Sequence, residues 1–119
     1  MATNAFAVNQ ATATFQGAME MPPEIVAEGN PTSETWVARE FEVSGKASAG
    51  IWAGEPGKIN MPPYPFDEMF TVLEGRIEMT NEDGSVVSLG PGESGFLPKG
   101  WTGVWHVVEP TKKYFFSIA

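Results

Sequence analysis

Glu68 is the carboxylate in this chain best placed for chemistry. In the run DEMFTVLEG, residues 67–75, side chains of a strand alternate between two faces, so Glu68 shares a face with Phe70 and Val72 while Asp67 takes the other. A carboxylate turned toward aromatic neighbours can exchange a proton with a bound molecule or accept its hydrogen bond. Its plainer use is as a structural acceptor or as a group at a wet cavity mouth. Asp67, on the opposite phase, is expected to be solvated.

Few other side chains compete with Glu68. A transition-metal site needs three or four nitrogen, sulfur or carboxylate ligands, and a chain with one histidine and no cysteine offers Glu68, His106 and Tyr64. No tightly held cofactor or metal is expected, and a weak, atypical metal site through Glu68 and His106 is the open alternative. No order of Ser, His and Asp supports a catalytic triad, and neither Gly-rich turn precedes a helical pattern that could cradle phosphate. Lys58, Arg39, Arg76 and Lys99 are the basic candidates for pairing with a ligand carboxylate. Lys112 and Lys113 are expected on the outer face.

Aromatic residues are dense for a chain of 119 residues. Trp52, Trp101, Trp105, Tyr64 and Phe70 are the expected ligand contacts, although core packing is the ordinary role for rings such as Phe70 and Phe96. Trp101 follows Lys99-Gly100 in a turn, so it is expected at a cavity mouth or a subunit contact. The segment Met61-Pro62-Pro63-Tyr64-Pro65-Phe66 carries three prolines that remove ladder donors. It is expected to form a stiff loop at the entrance, presenting the Tyr64 hydroxyl or guarding a sheet edge.

The elements that must hold these residues are strands. Ten Pro and thirteen Gly are spread through the chain, and β-branched and aromatic segments recur between turn signals from Thr35 onward. Strands are predicted at 36–43, 48–54, 67–74, 75–80, 85–89, 94–97, 103–109 and 112–118. Asn81-Glu82-Asp83-Gly84 marks a hairpin and Leu89-Gly90-Pro91-Gly92 another reversal. A helix-poor chain of short strands buries its apolar faces as a sandwich or barrel. Residues 1–30, polar and broken by Pro22 and Pro23, are expected to form an N-terminal arm draped over a single domain at 31–119, docked on its own barrel or on a partner's.

The net charge of −8 opposes binding to nucleic acid or to an anionic membrane surface. No apolar run approaches the ~20 residues that span a bilayer, and the opening MATNAFAVNQ has no basic start before an apolar core. A cytoplasmic location is expected, and a homodimer is the default for a domain of this size.

Glu68 lies seven residues before Gly75, and Gly92 lies six before Pro98 in GESGFLPKG. These intervals resemble the two cupin signatures, Glu-x6-Gly and Gly-x5-Pro-x-Gly. With SAGIWAGEPGK and PKGWTGVW followed by KKY, the chain resembles the small cupins related to (S)-ureidoglycine aminohydrolase and the ethanolamine-utilisation Q protein. The resemblance implies an all-β jelly-roll barrel with the motif glutamate inside. The places that carry metal-binding histidines in other cupins fall here on Met61 and Pro63, or Pro62 and Tyr64, and on Gly103. If Gly103 takes the inward histidine's place, Trp105 and Val107 also face in, and His106 faces out with Val104 and Val108. The expected function is binding of a small organic ligand, with metal-independent acid-base chemistry by Glu68 on a small acid or amide, of isomerase, lyase or hydrolase type. The alternatives are a non-catalytic accessory domain of a catabolic pathway and a metal-dependent cupin with atypical ligands.

Overall fold

The computed structural model describes residues 6–42 and 45–119. Residues 1–5 of the expected arm and Val43 of the first predicted strand lie outside them. The described residues form nine strands and no helix: β1 (Thr14–Met19), β2 (Val26–Gly29), β3 (Ser33–Glu42), β4 (Lys46–Gly54), β5 (Gly57–Met61), β6 (Asp67–Asn81), β7 (Val86–Leu89), β8 (Ser94–Leu97) and β9 (Gly103–Ile118). No helix among the described residues is long and apolar enough to cross a membrane.

The centre is an antiparallel ribbon of β6 and β9, paired along nearly their whole lengths. On the far edge of β9, the C-terminal half pairs with β4 and the N-terminal half with β5. On the far edge of β6, the two halves pair with β8 and β7. Because each long strand serves two different neighbours, the sheet curls between its halves into the expected all-β barrel. The inner faces bury Ile59, Phe70, Val72, Ile77, Met79, Leu97, Trp105 and Val107 as one apolar cluster.

The predicted break at 74/75 is a bulge inside one strand. Glu68, Phe70 and Val72 are buried before it, and Ile77 and Met79 after it; the register against β9 shifts three times between Val72 and Ile77, and the inward phase changes from even to odd numbers across that stretch. Gly75 carries it at φ +90°, where an added Cβ would lie 2.3 Å from the Pro110 carbonyl oxygen. Likewise the predicted strands 103–109 and 112–118 are one continuous strand.

The N-terminal segment is built into the sheet. β1 pairs with β3 and β2 pairs with β5, which puts two consecutive strands at opposite ends of the path β1-β3-β4-β9-β5-β2. Residues 20–25 therefore connect the two ends, and Met21 packs against the core.

Candidate functional site

The inner face of the barrel lines a partly open cavity of about 370 Å³. Most of its wall is apolar: Met19, Met21, Val37, Trp52, Ile59, Met61, Phe66, Leu97, Trp105 and Phe115. Its ionisable side chains are Tyr64, Glu68 and Lys113, and Glu68 touches the other two.

Glu68 projects from β6 into the barrel and is 5% exposed. Its two oxygens have different partners: the Tyr64 hydroxyl donates to Oε1 at 2.7 Å, and Lys113 Nζ donates to Oε2 at 2.7 Å. Lys113 comes from β9, where it pairs with Val72, while Glu68 pairs with Ser117. The lysine stem must therefore run back along the sheet to reach the carboxylate. On that path its ammonium lies 4.4 Å from the ring centre of Phe70, 4.6 Å from that of Trp105 and 4.9 Å from that of Trp52. Ring faces carry negative electrostatic potential, so this cage and Glu68 together offset the loss of water around the buried charge.

Tyr64 is positioned by the proline-rich loop, whose backbone is clamped to the next motif: Tyr64 N donates to the Trp101 carbonyl at 2.9 Å, and Gly100 N donates to the Tyr64 carbonyl at 2.7 Å. Burial pushes the Tyr64 phenol well above its ordinary 10.0, reinforced by the Glu68 charge and by the hydrogen bond to it.

The structure gathers Tyr64, Glu68, Trp52 and Trp105 on the cavity. Phe70 is fully buried beneath Lys113 and does not line it. Trp101 also lies off the lining; its Nε1 donates to Asn81 Oδ1 at 2.9 Å, and its ring covers Gly103, where a Cβ would come within 2.5 Å of it. The indole thus takes the space into which a side chain at position 103 would grow. His106 lies outside the cavity lining, with Nδ1 3.7 Å from Glu78 Oε1, so the fold does not bring it to Glu68. Asp67 is exposed and its Oδ1 accepts the Lys99 amide.

One expectation is corrected outright. Lys113 is 3% exposed and inside the barrel, not on the outer face. The sequence carried the signal, because adjacent strand residues point to opposite faces and Lys112 and Lys113 cannot both be outside. Three of the four basic candidates named instead are spent elsewhere: Lys58 pairs with Glu28 at 3.0 Å, Arg76 donates to Ser88, and Arg39 covers Phe6.

The model of the EutQ-like cupin domain family matches residues 41–115. The chain belongs to that family. No curated protein matches it. This cupin superposes on a protein of unknown function of the DUF861 family from Pseudomonas syringae with a TM-score of 0.79 at 20% identity, covering 92% of this chain and 46% of that one. It resembles the EutQ protein of Clostridium difficile with a TM-score of 0.56 at 18% identity over 72% of this chain and 63% of that one. A DUF861 protein from Thermotoga maritima is 34% identical over 55% of this chain and 73% of that one, with a TM-score of 0.50. The chain thus spans less than two thirds of the length of the first two.

Cupins with the histidine motif hold a metal beside the motif glutamate, and the residues of this cupin do not fit that role. Both Glu68 oxygens are engaged by Tyr64 and Lys113, and the ammonium 2.7 Å from Oε2 is a cation already at the carboxylate. Among the described residues no group of three His, Cys, Asp or Glu side chains converges.

Proposed function

We propose that the barrel binds a small, largely apolar organic molecule whose polar end meets Tyr64, Glu68 and Lys113, with Glu68 giving or taking the proton in any reaction of that ligand. The observation that carries this reading is the convergence of three hydrogen-bonding side chains on one wall of an apolar cavity, the usual composition of a small-molecule site. Trp52 and Trp105 line that cavity and Trp36 and Trp101 do not, so a bound ligand is expected to change tryptophan emission in the wild type and in Trp36→Phe. Loss of the response in Trp36→Phe together with its persistence in Trp52→Phe and Trp105→Phe would place the ligand outside the barrel. On an identified substrate, Glu68→Gln should lower turnover by about 10²–10⁴; full turnover would remove Glu68 from the proton-handling role.

The second reading is a non-catalytic accessory domain, favoured by the engagement of both Glu68 oxygens with Tyr64 and Lys113. It expects ligand to be recovered unchanged after long incubation.

We further propose that the chain acts as a cytoplasmic homodimer. On the outer face, Phe96, Met69 and Phe116 are cross-strand neighbours, 55%, 54% and 42% exposed. A continuous apolar stripe on an acidic domain suits a second copy of the same surface. Phe96→Glu should turn dimer into monomer in sedimentation velocity; a wild type that sediments as monomer at high concentration would defeat the proposal.

A further inference from the structure

Lys113 is the side chain in the cavity that the cupin signatures do not account for. An ammonium has three N–H donors. The hydrogen bond to Glu68 uses one, and the three rings around it offer faces, not conventional acceptors. Lys113 also lines the cavity, so a ligand oxygen can reach the remaining donors. We propose that Lys113 is a built-in cation, standing where other cupins place a metal ion, and that it holds the carbonyl oxygen of a neutral ligand: a ketone, aldehyde or amide. This rests on the reading of the barrel as a small-molecule site and names the class of molecule it takes.

Charge decides between neutral and anionic ligands. Glu68 already balances Lys113 at 2.7 Å, so a ligand carboxylate would bring an uncompensated negative charge into an apolar cavity of a chain whose net charge is −8. Burying such a charge is costly, whereas a neutral carbonyl asks only for one N–H. The rings of Trp52 and Trp105 meet edge to face at 5.9 Å beside the ammonium, which suits a flat apolar or aromatic substituent next to the carbonyl.

The test uses the full chain labelled with ¹³C at the methionine methyls and three probes of one shape: phenylacetone, phenylacetamide and phenylacetate, with toluene as an apolar reference. Met21 and Met61 line the cavity, and Met69, on the outer face, is the internal control. Phenylacetone and phenylacetamide are expected to move the Met21 and Met61 signals with affinities at least tenfold above that of phenylacetate. The carbonyl ¹³C resonance of bound phenylacetone should move downfield, as polarisation by an N–H donor requires. In the Glu68→Gln/Lys113→Met double variant, which keeps the cavity free of unpaired charge, toluene should still bind while the ketone loses its advantage over toluene and its carbonyl shift. Phenylacetate binding as tightly as the ketone in the wild type would overturn the proposal without needing any variant. A ketone preference that survives in the double variant would overturn it as well. If no probe, toluene included, moves Met21 or Met61, the barrel is not a small-molecule site and the broader reading falls with this one.

Discussion

Lys113 reaches back along the β6–β9 ribbon, over the face of Phe70, to close a 2.7 Å ion pair with Glu68 from 45 residues away. Both partners are almost fully buried, so each is the main compensation for the other's lost hydration. Removing one partner of such a pair costs about 3–5 kcal/mol, because a charge is left buried alone, whereas replacing both with apolar or neutral groups can be close to neutral. Urea unfolding of Glu68→Gln, Lys113→Met and the double variant should therefore show two destabilised single variants and a double variant more stable than either. Lys112→Met, on the other face, should cost under about 1 kcal/mol. Equal small losses at 112 and 113 would contradict the inward placement of Lys113.

Tyr64 makes stability depend on alkaline pH. Its phenol is pushed well above the ordinary 10.0 by burial and by Glu68, so the folded chain keeps a proton that the unfolded chain releases above about pH 10. Unfolding then releases a proton, and stability present below that pH is lost as pH rises. Urea midpoints measured from about pH 8 to 11 should fall more steeply for wild type than for Tyr64→Phe. Parallel slopes would mean that Tyr64 is exposed to solvent and not held on Glu68.

The contrast between Glu68 and Lys113 shows how far the chain could be read without coordinates. Strand alternation in DEMFTVLEG puts Glu68, Phe70 and Val72 on the buried face, where they are found. The same rule across Lys112 and Lys113 turns one of them inward, and the inward one is Lys113. Gly75 looks like a turn in sequence because a bulge and a turn both call on glycine for positive φ. No strand is predicted at β1, β2 or β5, because each gains its pairing from distant segments: β1 from β3, β2 from β5, and β5 from β9. Their own residues include exposed and polar positions that no local pattern marks as strand.

Gly103 is fixed by packing. A Cβ there would lie 2.3 Å from the Thr80 carbonyl oxygen and 2.5 Å from the Trp101 ring. The indole can move, but the carbonyl belongs to the β6–β9 ladder. Gly103→Ala should cost about 1–3 kcal/mol in unfolding experiments, and Gly103→His should unfold more readily still. A Gly103→His variant as stable as wild type would show that position 103 is open, contrary to the packing of Trp101 over it.

Glu68 is satisfied by Lys113 and Tyr64, and we propose that it does not ligate a metal. Elemental analysis of wild type purified without chelators and without a nickel column, followed by thermal melts with added manganese, nickel and zinc, tests that claim most directly. The account predicts far less than one transition-metal ion per chain and no stabilisation by any of the three. One equivalent of metal per chain that is released in Glu68→Gln would contradict it.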